Sequence, residues 1–194
     1  MQLTTCVMVG RAESDFFSIY SFFFTDLHIH FPLDDFTMGV LCVLNVAPTQ
    51  LYLNLWATLQ AFCLICDMLR LSLILQFFLH YFSAHSAFPT GWLSLVGTSR
   101  SCLFSPFTSS YKNFKSQFFK VYIEPPGRSL FFYKNNNTRF PFYWTQNSVC
   151  YSSWPGLPMM SKDQDMVRIL DPLPKKLPTQ KIIVLYWSLH RWGS

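Results

Sequence analysis

Apolar residues recur with a helical period most densely between Phe31 and Leu71. Phe36, Val40 and Leu44 stand at i, i+4 and i+8 with Met38 and Leu41 beside them, the spacing of a short helix with one buried face. Asp34 and Asp35 precede it, where a carboxylate accepts orphan N–H groups and meets the positive end of the helix dipole. Asn45 and Pro48 close it, because the residue before a proline is pushed away from helical angles. Gly39 inside it costs up to about 1 kcal/mol against alanine, so this helix depends on packing. Asn54 is the expected cap of a second helix, Leu55 to Leu69. Its stripe is Trp56, Leu59, Cys63 and Cys66, widened by Phe62, Ile65 and Leu69. Asp67 and Arg70, at i and i+3, are expected to pair on its outer side.

Elsewhere the pattern changes from segment to segment. Residues 1–15 carry no clear period and form a loose lead-in. Leu27–Phe31 (LHIHF) alternates apolar residues with histidine, as a strand does. A third helix is expected from Ile74 to Ser86, broken by Pro89, Thr90 and Gly91. Trp92–Val96 and Cys102–Phe107 look like short strands flanking a polar turn. Tyr111–Lys120 has Tyr111, Phe114 and Phe118 on one helical face and Lys112 and Lys115 on another. The run VYIEPPGRSLFFY predicts strand, turn and strand around Pro125–Pro126–Gly127, and Arg139–Thr145 extends it into a meander. Past Tyr151 comes a loop, then a capping box, Ser161-Lys162-Asp163-Gln164, opening a short helix that ends near Leu170. Asp171–Pro178 is a proline-stiffened linker. Thr179–Trp192 predicts an amphipathic helix built on Ile182, Ile183, Leu185, Tyr186 and Leu189. The expected class is α+β: a helical core of three helices, a small antiparallel meander and C-terminal helices. Residues 16–151 make the domain and 152–194 the linker and final helices.

Composition narrows the function classes. Of 194 residues, 51% are hydrophobic and 19% aromatic, while charged residues make up only 13%. A chain this apolar is not a disordered, solvating one. The net charge of +5 is too thinly spread to form a strong electrostatic footprint. Six cysteines lack the spacing of a disulfide framework, and Met1–Gly10 has no basic region ahead of its short apolar part. The expectation is therefore a reduced, intracellular chain of nucleus or cytoplasm.

Several motifs occur in an order that carries a resemblance: FPLDDF (31–36), LNVAPTQ (44–50), WATLQAFCLICDML (56–69), WLSL (92–95), FTSSYKNFKSQFFK (107–120) and FPFYWT (140–145). Together with ILDPLPKKLPTQKIIVLYWSLHRW at the end, they resemble the plant gypsy-type transposase domain of retrotransposon-derived proteins, over roughly residues 13–192. The resemblance implies a mobile-element protein, gag-like in role, and carries over no catalytic residue. The chain departs from the family pattern at Tyr52–Trp56 (YLNLW, where relatives tend to read HPNSW) and at Leu71–Gln76. Single C-to-T transitions would produce such changes, the mark of a decayed element copy. An even spread of substitution types in the coding DNA would remove that reading.

The catalytic chemistries of mobile elements lack their residues. A metal-dependent transposase needs three separated carboxylates around two ions. The chain has 10 acidic residues, mostly in capping, turn or helix-surface positions. There is no Asp-Thr/Ser-Gly turn, and Pro32 stands where a polymerase hairpin would place an aromatic before Asp34-Asp35. No phosphate loop is present. Cys63-x-x-Cys66 is a lone pair on an apolar helix and suits core packing. His28-x-His30 has no third ligand and suits a solvent-facing strand edge. Neither an enzyme nor a cofactor is expected.

Two binding modes remain. Lys112, Lys115 and Lys120 are interleaved with Tyr111, Phe114, Phe118 and Phe119, and cations beside stacking rings are how single-stranded nucleic acid is held. Lys175, Lys176, Lys181 and Arg191 make a second, weaker basic cluster. The rival is membrane association through Leu51–Phe82, although Asp67 and Arg70 interrupt that span and each costs about 2.5–3.5 kcal/mol at a bilayer centre. The expectation is an interaction module whose partner is nucleic acid or a second copy of the chain, with a membrane as the alternative.

Overall fold

The computed structural model describes residues 15–87, 91–97, 103–107, 117–150 and 161–190. Its architecture is α+β, with helices at the centre, small sheets around them and two helices at the C-terminal end. Strand β1 (Phe16–Tyr20) leads into a one-turn helix, α1 (Phe22–Thr25). Helix α2 (Asp35–Leu44) begins as its sequence predicts: Thr37 N–H donates to Asp34 Oδ1 at 2.7 Å. It ends at Asn45, whose φ of 51° gives the left-handed turn that asparagine tolerates.

Helix α3 (Leu53–Met68) starts before its expected cap. Leu51 bridges to Leu93, and Tyr52 N–H donates to Leu93 O at 3.0 Å, so a backbone contact sets where the helix begins. Asn54 lies inside the first turn and accepts from Phe107 N–H instead. At the other end, Arg70 takes φ of 55°, with Arg70 N–H on Asp67 O and Leu71 N–H on Cys66 O. Those two bonds close the carbonyls of the last turn. The left-handed residue takes Arg70 off the helical path, so the expected Asp67–Arg70 pair gives way. Asp67 accepts from the Tyr186 hydroxyl at 2.7 Å.

The third helix is shorter than its apolar run. Helix α4 (Leu75–Tyr81) passes directly into strand β2 (Phe82–Ala87), which pairs antiparallel with β3 (Trp92–Gly97), Phe82 opposite Gly97 and Ala87 opposite Trp92. A short apolar run fits helix and strand alike, and the partner strand decides. Strand β3 is paired with β2 and is also bridged at Leu93 by Leu51, and it forms no hairpin with β4 (Phe104–Ser105). That strand pairs parallel with β6 (Leu177–Pro178).

Strand β5 (Phe118–Tyr122) replaces the end of the helix expected over 111–120. It lies antiparallel to β1, with Phe16 opposite Tyr122 and Tyr20 opposite Phe118. The rest of that expected helix lies outside the described residues. After Pro125–Gly127, helix α5 (Arg128–Phe131) forms where a strand was expected, since a proline-led turn is preorganised for helix entry. Arg139–Thr145 is not a strand: an isolated bridge joins Phe132 to Thr138, and Phe140 and Phe142 then pack beside Phe17 at 5.3 and 5.5 Å between ring centroids.

Helix α6 (Ser161–Leu170) is followed by an anchored linker: Tyr81 O–H donates to Asp171 at 3.0 Å and Leu177 N–H to Leu103 O at 2.7 Å. Helix α7 (Thr179–His190) then packs along α3. Its inward face is Thr179, Ile183, Tyr186 and Trp187, while Leu185, expected inward, is exposed. The core is aromatic. Phe62 meets the rings of Phe36, Phe77, Phe78 and Phe82, and Trp56 lies 4.4 Å from Phe23 while its Nε1–H donates to Pro48 O. Asp67 and Arg70 sit exposed at the rim. Among the described residues no helix is long and apolar enough to cross a membrane.

Candidate functional site

The β1–β5 sheet carries the one described member of the expected nucleic-acid set. Lys120 is exposed on β5, on a strand and not a helix, and Tyr111, Lys112 and Lys115 lie outside the described residues. Opposed residues of an antiparallel pair share a face, so Phe118, Lys120 and Tyr122 lie with Tyr20, Ser18 and Phe16. The two ends of this face differ. At one end Tyr20 is buried against Trp92 and Phe22, with its hydroxyl donating to Thr49 O, and burial pushes its pKa up to about 12. At the other end the face is open. Phe16 meets Tyr122 at 5.6 Å and Tyr143 edge-on at 5.4 Å, and the Lys120 ammonium stands 4.6 Å from the Phe16 ring centroid. Tyr143 is 57% exposed at this end; Phe118, across from the buried Tyr20, is 54% exposed. On the reverse face Phe119, also exposed, lies beside Phe24. The result is a cluster of rings centred on half-buried Phe16, with exposed Tyr122 and Tyr143 beside it and one ammonium over it, an arrangement that offers stacking and cation–π contacts. Two neighbouring cations are held by carboxylates: Arg128 by Asp15 at 2.5 Å and Arg139 by Asp35 at 2.6 Å.

A second concave feature lies where α7 crosses α3. It is a groove of about 310 Å³ whose polar lining includes His30, Asp34, Cys63, Asp67 and Tyr186. The alternation expected at His28 and His30 fails because His28 takes φ of 52°, and both imidazoles pack on Trp187, at 5.4 and 4.8 Å. Burial first, then the Asp34 carboxylate and then Cys66, hold the Cys63 thiol well above its usual range. Burial pushes Cys66 up to about 12. Both are therefore neutral thiols near pH 7, which makes them poor nucleophiles. Among the described residues no group of three or more His, Cys, Asp or Glu side chains is placed to hold a metal ion. The second basic cluster is partly structural, Lys175 Nζ donating to Asp171 O at 3.0 Å, and Arg191 lies outside the described residues.

Sequence reasoning missed Phe16, Tyr143 and Trp187. Each is apolar by type, and the only available signal was a local density of aromatics. Fold and surface together define the class as an α+β protein with an open aromatic sheet edge and an acidic groove. No protein-family model, curated protein or solved structure matches the chain.

Proposed function

We propose that this chain is a non-enzymatic interaction module of retrotransposon origin, gag-like in role, which holds single-stranded nucleic acid on the open end of the β1–β5 face. The origin rests on the ordered motifs from Phe31 to Thr145. The binding reading rests on one observation, the exposed rings of Tyr122 and Tyr143 packed against half-buried Phe16, with the Lys120 ammonium over the Phe16 ring. Bases stack on such rings for roughly 1–3 kcal/mol each, and every base has a face to offer, so the preference is for unpaired strands over any sequence. The ammonium adds one phosphate contact.

Fluorescence anisotropy with a short labelled oligo-dT, repeated over a range of salt, tests this. Tyr143→Ala and Tyr122→Ala should each weaken binding about fivefold or more, the low end of a lost stack. Lys120→Ala should reduce the salt slope by about 0.7. Absence of binding, or affinities that none of these substitutions changes, would remove the proposal.

A further inference from the structure

Strand β5 has one edge in use and one edge free. Ser21 N–H donates to Gln117 O at 3.0 Å and Ile123 N–H to Asp15 O at 2.9 Å, one bond at each end of the β1–β5 ladder. Backbone groups point to alternate sides along a strand, so residues 117, 119, 121 and 123 turn theirs toward β1. Phe118, Lys120 and Tyr122 turn theirs the other way, and no described residue pairs with that edge. An exposed edge is commonly blunted by charges, proline or a covering segment. This one carries a single charge among large apolar side chains: Phe118 is 54% exposed on one face and Phe119 55% on the other. Phe24, also exposed, lies beside Phe119. The Lys120 ammonium stands over Phe16, on β1, so the one charge is drawn away from the edge.

We propose that this edge pairs antiparallel with the same edge of a second copy of the chain, about a two-fold axis at Phe119. The residues of the strand select both the occupant and the register. An axis at Lys120 would set two cationic side chains directly opposite each other, which is destabilising. An axis at Val121 would set exposed Phe118 against Glu124 and exposed Phe119 against Ile123, which is already buried. An axis at Phe119 sets Phe118 of each copy against Lys120 of the other, and the two Phe119 rings against each other. The Lys120 stem then covers a phenylalanine ring while its ammonium stays over Phe16. On the reverse face Phe24 and Phe119 of both copies join into one strip of rings. The outward backbone groups of Phe118 and Lys120 bond across the seam, and β1 and β5 of both copies form one continuous sheet. Such a pairing is self-complementary and closes, giving a dimer and nothing larger. Nothing in it rests on nucleic-acid binding.

Sedimentation velocity on the full chain, with no oligonucleotide present, tests this. A short edge buries less than a standard interface, so the dimer should be populated at about 100 µM and dissociate on dilution. Phe119→Lys sets two ammonium groups against each other at the axis and should weaken dimerisation by about tenfold or more. Lys120→Pro removes an outward N–H and none that β1 uses, and should do the same. The register has its own readout. The Phe119 pair is not hydrogen-bonded, so its Cα atoms approach to about 4.5 Å, within reach of a disulfide. In a chain whose Cys6, Cys42, Cys102 and Cys150 are replaced by serine, Phe119→Cys should cross-link into a dimer under oxidised glutathione, and Val121→Cys should not. Near-UV circular dichroism checks the fold of each variant; Phe119 is exposed, so its variants decide the matter if Lys120→Pro unfolds. A chain that stays monomeric at that concentration, or assembles beyond a dimer, would overturn the proposal. So would undiminished dimerisation in Phe119→Lys, or cross-linking through Val121→Cys as readily as through Phe119→Cys.

Discussion

Gln50 has no exposed surface, yet its amide is fully used. Nε2 donates to Gly91 O at 3.0 Å and Thr145 O at 2.7 Å, while Oε1 accepts from Thr145 N–H at 3.1 Å and Ala47 N–H at 3.4 Å. One side chain thereby joins three stretches of chain far apart in sequence. Gln50→Leu leaves these partners unpaired in a dry place at about 1–3 kcal/mol per group, so the variant should lose roughly 3 kcal/mol or more in urea denaturation. A loss below about 1 kcal/mol would mean that water reaches those groups. The residue type offered no hint of this role, because glutamine is mostly a surface residue. Gly91 is different: its φ of +70° is a backbone requirement, and the breaker at Pro89–Gly91 was visible in the sequence.

Among elements, those whose ends are set locally were legible. Helix α2 has its start in the Asp34 side chain and its stop in Asn45, both within the helix's own reach. Asp34→Ala should therefore lose about 1 kcal/mol by thermal or urea unfolding, and Asp34→Asn close to nothing. Equal losses in the two would mean that charge, not the cap bond, holds the turn. Elements defined by a distant partner were not legible. Strand β5 exists because β1, about a hundred positions earlier, presents its backbone to it. The break between α4 and β2 is decided by pairing with β3, which is near in sequence but outside the reach of helical periodicity. In α7 the helix was foreseen but its phase was not, since Leu185 and Trp187 are both apolar and only the position of α3 selects which is covered.

For the whole molecule, stability comes from aromatic burial, and the described ion pairs are partly or largely solvent-exposed. Exposed pairs contribute little, so moderate salt should hardly move the unfolding midpoint. High pH should move it. Tyr20 and Cys66 keep their protons up to about 12 in the folded state, and burial raises Tyr81 and Cys63 as well. The unfolded chain gives up these protons near the ordinary values of 9 for Cys and 10 for Tyr. Between there and about 12 the folded state binds more protons than the unfolded one, so stability is complete below about 9 and falls as pH rises. Each such proton contributes about 1.4 kcal/mol per pH unit to that slope. Cys66→Ala should flatten the slope by about one proton, whatever its cost at neutral pH. A slope parallel to that of the unsubstituted chain would show that Cys66 is not one of the buried acids.

The sequence alone determined what depends on short-range forces: the α2 and α3 cores, the cap at Asp34, the position of the final helix, and the burial of Trp56, Phe62 and Cys66. Periodicity and capping act within a few residues, and so are written in neighbouring letters. Only the tertiary structure decided the strand partners, the open aromatic face and the acidic groove under α7. Those depend on which surfaces meet across long stretches of chain, and in a sequence with 21 phenylalanines nearly every segment is apolar enough to be either inside or out.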